Sequence, residues 1–294
     1  MLVRKGKAMK KILILGASGF VGKNIYEYLQ ERYNVDAPTH TQLDVIDEKS
    51  LFNKLNSVSY DVVINALDGK PNDPNYFVNR MRMYMNLSRH NDMYGKMIWF
   101  GSGAEYGRQE AIVKVSEHDF DKLLPSDDYG FCLHQMSQNT KQSDNIYNFR
   151  LFGIFGKYEI WKSRFISNAI CKGLYGYPIS IRQDRVMDYL HIDDLCKIAE
   201  WACENQPKHH DYNATSGKSY HLKELADIVN SQLDVKVPVM VTKDGMASEY
   251  TSNNDRLLAD FLGFKPEPME VSVDKLMRYY KEHLGEISLE QLLY

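Results

Sequence analysis

Three glycines, Gly16, Gly19 and Gly22 in K-I-L-I-L-G-A-S-G-F-V-G, are the residues whose type and spacing specify chemistry most directly. Gly16 permits a tight turn, Gly19 omits the Cβ that would block a pyrophosphate, and Gly22 lets a helix pack closely on a strand. The N-terminus of that helix offers unpaired N–H groups and a positive dipole end to an anion. A glycine triplet alone is weak, because glycine also ends strands and caps helices. Its flanks supply the context. Ile12, Leu13, Ile14 and Leu15 form a short apolar run, and Val21, Ile25, Tyr28 and Leu29 follow at helical spacing. This order predicts a dinucleotide seat lined by Gly16, Ser18, Gly19, Phe20, Val21 and Gly22.

The elements that must position this seat alternate through the first half. Strands are expected over 35–37, 61–65, 97–100 and 146–151, and helices over 48–55, 75–90 and 129–141. Repeated strand–helix crossings imply an α/β fold with a doubly wound parallel sheet. After Gly153 the alternation becomes irregular. Short strands near 179–181 and 186–191 mix with helices near 193–205, 221–233 and 271–283, which suits a smaller, partly interleaved C-terminal α/β lobe.

At 294 residues the chain has room for one large domain or two unequal lobes. A formal charge of −3 and a pI near 6.3 leave no electrostatic footprint for nucleic acid. No apolar run reaches the roughly 18 to 20 residues of a membrane span, so no membrane partner is expected. The basic start M-L-V-R-K-G-K-A-M-K-K leads into a strand and not a secretory apolar core, and Met9 is read as a candidate natural start. Cys132, Cys171, Cys196 and Cys203 form no C-x-x-C pair. They read as reduced core thiols with no metal role, which favours the cytoplasm.

Six motifs, in order, resemble one family: G-A-S-G-F-V-G at Gly16, D-V-V-I-N-A at Asp61, G-S-G-A-E-Y-G at Gly101, D-Y-G at Asp128, R-L-F-G-I-F-G at Arg150 and D-Y-L-H-I-D-D-L at Asp188. The chain resembles an extended short-chain dehydrogenase/reductase of the NAD-dependent epimerase/dehydratase group, which acts on nucleotide-activated sugars. The resemblance spans nearly the whole chain. It implies a Rossmann-type NAD(P)-binding domain over 9–152, with returning segments near 183–205, and a substrate-binding lobe mainly over 153–294. It also implies a nucleotide sugar as partner, of the kind used in surface polysaccharide synthesis, and a homodimer built from the helices at 75–90 and 129–141.

In such enzymes a serine after the fourth strand hydrogen-bonds the reacting sugar oxygen, and a tyrosine on the next helix transfers the proton. Ser102 and Tyr129 stand at those places. The family's Y-x-x-x-K puts lysine one turn after the tyrosine, on the same helical face. Here the chain reads Y-G-F-C-L-H-Q, with Leu133 at the lysine position. That lysine holds the nicotinamide ribose and favours ionised tyrosine. Without help, a tyrosine of pKa about 10 is ionised to about one part in a thousand at pH 7. His134, at i+5, is turned away from Tyr129 on an ideal helix. Oxidation or epimerisation needs a basic tyrosinate, whereas ketosugar reduction needs a neutral phenol as donor, so reduction survives the loss better.

For the cofactor, a carboxylate at the end of the second strand would select NAD. Asp36 sits early by this reading, the strand end reads P-T-H, and His40 falls where NADP-using relatives often carry a basic residue. The expectation leans to NADP over NAD. Asp44 and Val45 match the adenine-side positions, with Asp47 the better cap for the following helix. Asn65, Ala66 and Leu67 would pass beneath the cofactor, and Asn79 matches a family asparagine on the long helix.

The substrate half departs from the family twice, with Gly153 for an asparagine and Met187 for an arginine. Arg182 and Arg185 could bind phosphate oxygens bidentately, or be solvated strand charges. Glu105 is placed with them as a substrate contact. Lys157, Tyr158, Glu159 and Arg164 could frame the sugar or nucleotide, and Asp193 with Asp194 opens a helix and caps it. The expected activity is NAD(P)-dependent reduction at C4 of a nucleotide-bound ketosugar. The alternative is a catalytically silent relative that keeps the fold for binding or for pairing with an active subunit.

Overall fold

The computed structural model describes residues 9–69 and 73–293, so the basic stretch 1–8 lies outside it. In chain order the elements of the first half are β1 (Lys11–Leu15), α1 (Phe20–Leu29), β2 (Asn34–Asp36), α2 (Glu48–Ser57), β3 (Tyr60–Asn65), α3 (Tyr76–Arg89), β4 (Tyr94–Ser102), β5 (Ile112–Val115), α4 (Asp128–Thr140) and β6 (Ile146–Leu151). There follow β7 (Gly153–Phe155), α5 (Phe165–Leu174), β8 (Ile179–Asp184), β9 (Val186–His191), α6 (Ile192–Glu204), β10 (Asp211–Asn213), β11 (Ser219–His221) and α7 (Leu222–Gln232). The chain ends through β12 (Val239–Met246), β13 (Tyr250–Ser252), α8 (Asp255–Asp260), α9 (Met269–Glu282) and α10 (Leu289–Leu293).

Six parallel strands in the order β10-β6-β4-β3-β1-β2 form the central sheet. β1 and β3, buried along nearly their whole length, read as near-continuous apolar runs because helices cover both faces. On one face Ile12, Ile14, Val62 and Ile98 pack against Ile25 and Leu29 of α1 and Leu195, Ile198 and Ala199 of α6. On the other, Leu13, Leu15, Val63, Met97 and Trp99 meet Leu51 of α2, Met83, Tyr84 and Leu87 of α3, and Leu133 and Met136 of α4. Strand order reverses at β1, where the chain turns to β2 on one side and β3 on the other. That reversal opens a crevice at the carboxyl ends of the strands, where such sheets bind ligands.

The second lobe has a mixed sheet, β11-β9-β13-β5 with β7 paired to β9, and a separate parallel pair of β12 and β8. Its core joins α5, α7 and α9 through Ile166, Ile170, Leu225, Val229, Val273 and Leu276. Two boundaries move from the sequence expectation. Strands β8 and β9 belong to this lobe, whereas α6 and β10 return to the central sheet and Leu257 and Phe264 join the same core, so the return starts at 192 and runs past the expected 205. In exchange β5, from the first half, joins the second lobe beside β13.

Candidate active site

The glycine loop follows β1 at the crevice, with Gly16 at φ +83°, a left-handed turn that glycine adopts without strain. A Cβ on Gly22 would lie 2.2 Å from the Gly16 carbonyl oxygen, so only glycine lets α1 come this close to the turn. Gly19 differs, because a Cβ there would meet nothing nearer than 3.5 Å. The protein itself does not need glycine at position 19, and the open space above it is the cradle a diphosphate would fill. Gly19 also begins α1 without a side-chain cap, leaving that helix end to an anion. The residues fit a dinucleotide.

Beside the loop, Ala66 N–H donates to the Leu15 carbonyl (3.0 Å), and Leu67 N–H donates to Asn65 Oδ1 (3.1 Å). This sets Asn65–Leu67 beside the glycine turn, where a Cβ on Gly16 would lie 2.5 Å from the Ala66 carbonyl oxygen. β2 ends at Asp36, later in the strand than the sequence suggested, but the carboxylate is already held by Lys54 (2.7 Å) and Tyr60. His40 is exposed and 4.0 Å from Asp44, whose carboxylate accepts the Ile46 N–H (2.9 Å). Val45 is buried in the core, and its carbonyl accepts Asn86 Nδ2 (2.9 Å). Asp47 caps α2 through the Lys49 N–H (3.0 Å).

Ser102 ends β4 and caps a 3-10 turn over Gly103–Tyr106, accepting the Ala104 N–H (3.2 Å). Tyr129 stands in the first turn of α4. That helix starts against the same 3-10 turn, because Gly130 lies so close that a Cβ would be 2.6 Å from the Ala104 carbonyl oxygen. Asp127 caps α4 through the Gly130 N–H (2.9 Å) and holds Arg108 (2.7 Å). The Ser102 hydroxyl is also 3.3 Å from the hydroxyl of Tyr250 on β13, a residue sequence reasoning missed. Burial, with a smaller contribution from Tyr129, raises the Tyr250 phenol above its usual range, so it stays protonated. No local motif marks Tyr250, because it enters by way of the second sheet.

Leu133 is fully buried among Tyr84, Trp99, Met136 and Leu15. His134 is turned away as expected: it bonds the Glu105 carbonyl (3.0 Å) and Asp121 (3.0 Å) and stacks on Phe120. Two guanidiniums instead stand against the Tyr129 ring, Arg80 of α3 at 5.4 Å and Arg108 at 5.5 Å from its centre. Burial works against the Arg80 charge, yet Tyr129, Asp68 and Tyr76 together raise it above the ordinary guanidinium value.

Glu105 is a correction. It is fully buried and faces no cleft; its carboxylate accepts the Ser102 N–H (2.9 Å), Ser137 Oγ (2.5 Å), Asn148 Nδ2 and Arg150 Nε (2.6 Å). A charge with no water around it survives only with such partners. Arg150, also fully buried, continues the chain of charge to Asp211 (2.8 Å).

Arg182 alternates with buried Ile179 and Ile181 on β8, so it faces solvent. Arg185 donates through Nε (3.0 Å) and Nη2 (2.6 Å) to the Ser248 carbonyl, and is committed to the turn before β13. Gly153 lies so close to β9 that a Cβ would be 2.5 Å from the Asp188 carbonyl oxygen, so an asparagine does not fit there. Met187 packs on the second core. Lys157 (2.6 Å) and Tyr158 (2.8 Å) clasp Glu27 of α1, and Glu159 is buried against Ser167. Asn79 donates to Asp73 (2.8 Å). Asp194 is buried and bonds Lys197 and the Glu267 N–H, while His191 and not the acidic pair caps α6. His191, Asp193 and Glu267 converge within 4.8 Å, but the Lys275 ammonium already bridges the two carboxylates, at 3.2 and 2.7 Å. All four cysteines are free and buried, as expected.

A glycine turn at the switch point of a parallel sheet covered by helices on both faces defines a nucleotide-binding α/β protein of Rossmann type. The NAD dependent epimerase/dehydratase family matches residues 12–215, and the chain belongs to that family. It is similar to a GDP-L-colitose synthase of Yersinia pseudotuberculosis, 21% identical over 92% of this chain and 97% of the relative. A GDP-L-fucose synthetase of Naegleria fowleri bound to NADP has the same fold at TM-score 0.80 and 13% identity, covering 94% of this chain and 95% of its own. So does a Campylobacter jejuni GDP-mannoheptose C4 reductase with NADP bound, at TM-score 0.75 and 17% identity over 94% and 100%. No helix among the described residues is long and apolar enough to cross a membrane.

Proposed function

We propose that this chain reduces a ketone at C4 of a nucleotide-bound sugar, using NADPH in preference to NADH. The observation that carries the reading is that Ser102 meets the Tyr250 hydroxyl (3.3 Å) and the helix bearing Tyr129 packs on the 3-10 turn that Ser102 caps, while Leu133 is sealed in the core. The site keeps its proton donor but lacks the lysine that proton abstraction from a hydroxyl relies on. When bound, the nicotinamide supplies hydride to the carbonyl carbon. Ser102 and the protonated Tyr250 donate hydrogen bonds to the carbonyl oxygen, and Tyr129 gives it a proton, so the ketone becomes an alcohol and Tyr129 is reprotonated from solvent. Gly16–Gly22 and the α1 N-terminus would hold the diphosphate of the cofactor, with Asn65–Leu67 beside it and exposed His40 as the partner of a 2′-phosphate.

The three relatives named above are a GDP-L-colitose synthase, a GDP-L-fucose synthetase and a GDP-mannoheptose C4 reductase, the last two with NADP bound, which supports this choice. Calorimetry with NADP and NAD, followed by turnover of keto-derivatives of GDP-, dTDP- and UDP-sugars, tests it. A Tyr129→Phe variant as active as the parent would overturn it. The second reading, a silent ligand-binding relative, is favoured by Leu133 and by Arg185 being spent on Ser248. It predicts tight binding of cofactor and sugar with no turnover of any ketosugar. A homodimer through α3 and α4 accompanies either reading, with Val78 and Phe131 exposed on those helices.

A further inference from the structure

We propose that Arg80, with Arg108 on the exposed side, supplies Tyr129 with the positive charge that a lysine at position 133 would have provided. The inference rests on Tyr129 being the proton donor, and it assigns Arg80 as a positioning residue that acts through that ring. Arg80 reaches Tyr129 from α3, a neighbouring helix, whereas the family's lysine would come from α4 itself. Its guanidinium lies 5.4 Å from the ring centre, at a distance where a cation and an aromatic ring attract.

Structural need alone does not explain an arginine here. Its side chain is only 8% exposed, yet its partner Asp68 is largely exposed and its Nε has no hydrogen-bond partner among the described residues. A buried donor left unpaired costs stability, and an apolar side chain of similar volume is often no worse than a buried ion pair. Arg80 Nη1 also donates to the Tyr76 hydroxyl (3.1 Å), and that hydroxyl bonds Asp68. These contacts fix the guanidinium against the ring. Arg108, tied to Asp127 at the cap of α4, stands 5.5 Å from the ring centre. The other ionisable groups near the pair are Asp68 and Tyr76 beside Arg80, Asp127 beside Arg108, Cys132 on α4 and Tyr250 on β13.

The chemistry follows from charge. As Tyr129 gives up its proton, the O–H bond breaks and its electron pair stays on the phenolate oxygen. A fixed cation against the ring stabilises that developing charge, and arginine remains protonated throughout the useful pH range.

The test needs no substrate. With tyrosine labelled at Cζ with 13C, the Tyr129 resonance is identified by its loss in Tyr129→Phe and titrated in the cofactor-free protein. The ring is expected to ionise about one pH unit higher in Arg80→Met, with Arg80→Lys restoring the parent midpoint. Arg108→Met, on the exposed side, should shift the same resonance upward by less, and reads the effect even if Arg80→Met folds poorly. An unchanged midpoint in Arg108→Met and in folded Arg80→Met overturns the proposal. So does a midpoint in Arg80→Lys that follows the methionine variant. Because the readout is ionisation and not turnover, this failure is separable from a failure of the reductase reading.

Discussion

The hydroxyls of Ser102 and Tyr250 lie 3.3 Å apart, although 148 positions separate them in the chain. β4 of the central sheet ends at one and β13 of the second sheet starts at the other, so the two lobes meet at the candidate site. Tyr250→Phe keeps the ring that packs on Phe152 and loses only the hydroxyl. About a fivefold fall in kcat/KM is expected, with cofactor affinity unchanged, as for one lost hydrogen bond. Steady-state kinetics with calorimetry checks it, and an unchanged kcat/KM removes Tyr250 from the site.

Restoring the family lysine should harm the protein. Leu133 is fully buried in an apolar cluster, so Leu133→Lys must bury an ammonium without a partner. A loss on the order of 3–5 kcal/mol is expected, the scale of an uncompensated buried charge. Urea denaturation measures it. Parent-like stability would mean that the lysine reaches the crevice.

The Glu159 carboxyl makes stability depend on pH. Burial pushes it up to about 8 from 4.5, although Ser167 and Arg164 pull it down. Between those two values the folded protein holds a proton that the unfolded chain has released. Stability therefore falls as pH rises from 4.5 towards 8, and the loss is complete above the folded value. Glu159→Gln cannot titrate, so its melting temperature should drop less than the parent's between about pH 5 and about pH 9. Parallel melting curves for the two proteins would sink the assignment.

Cofactor choice should respond to His40. The Asp36 carboxylate at the end of β2 is taken by Lys54 and Tyr60, whereas His40 is exposed and free to meet a ligand charge. His40→Ala is expected to weaken NADP about threefold to fivefold, the scale of one exposed charge contact, and to leave NAD unchanged. Competitive binding of the two cofactors checks this, and equal losses for both would place His40 elsewhere than at the 2′-phosphate.

Local patterns made much of this legible. The Gly16–Gly22 turn follows from backbone sterics within seven residues. The long helices announce themselves by apolar period, with the expected 75–90 and 129–141 observed at Tyr76–Arg89 and Asp128–Thr140. Of the three-residue strands only β2 was legible; β7, β10, β11 and β13 were not, because a segment that short carries too little pattern to separate it from a loop.

By itself, then, the amino-acid order determined the longer strands of the central sheet, the glycine turn and the loss of lysine at Leu133, since each is written in neighbouring residues. Tertiary structure alone decided which charges face a ligand. Glu105 looked like a substrate contact until Arg150, from β6, neutralised it in the core. Arg80 carries no local signal, and only the packing of α3 on α4 brings it against Tyr129. The reason is physical: the cost of a charge depends on its partners and its water, and both come from parts of the chain that only folding brings together.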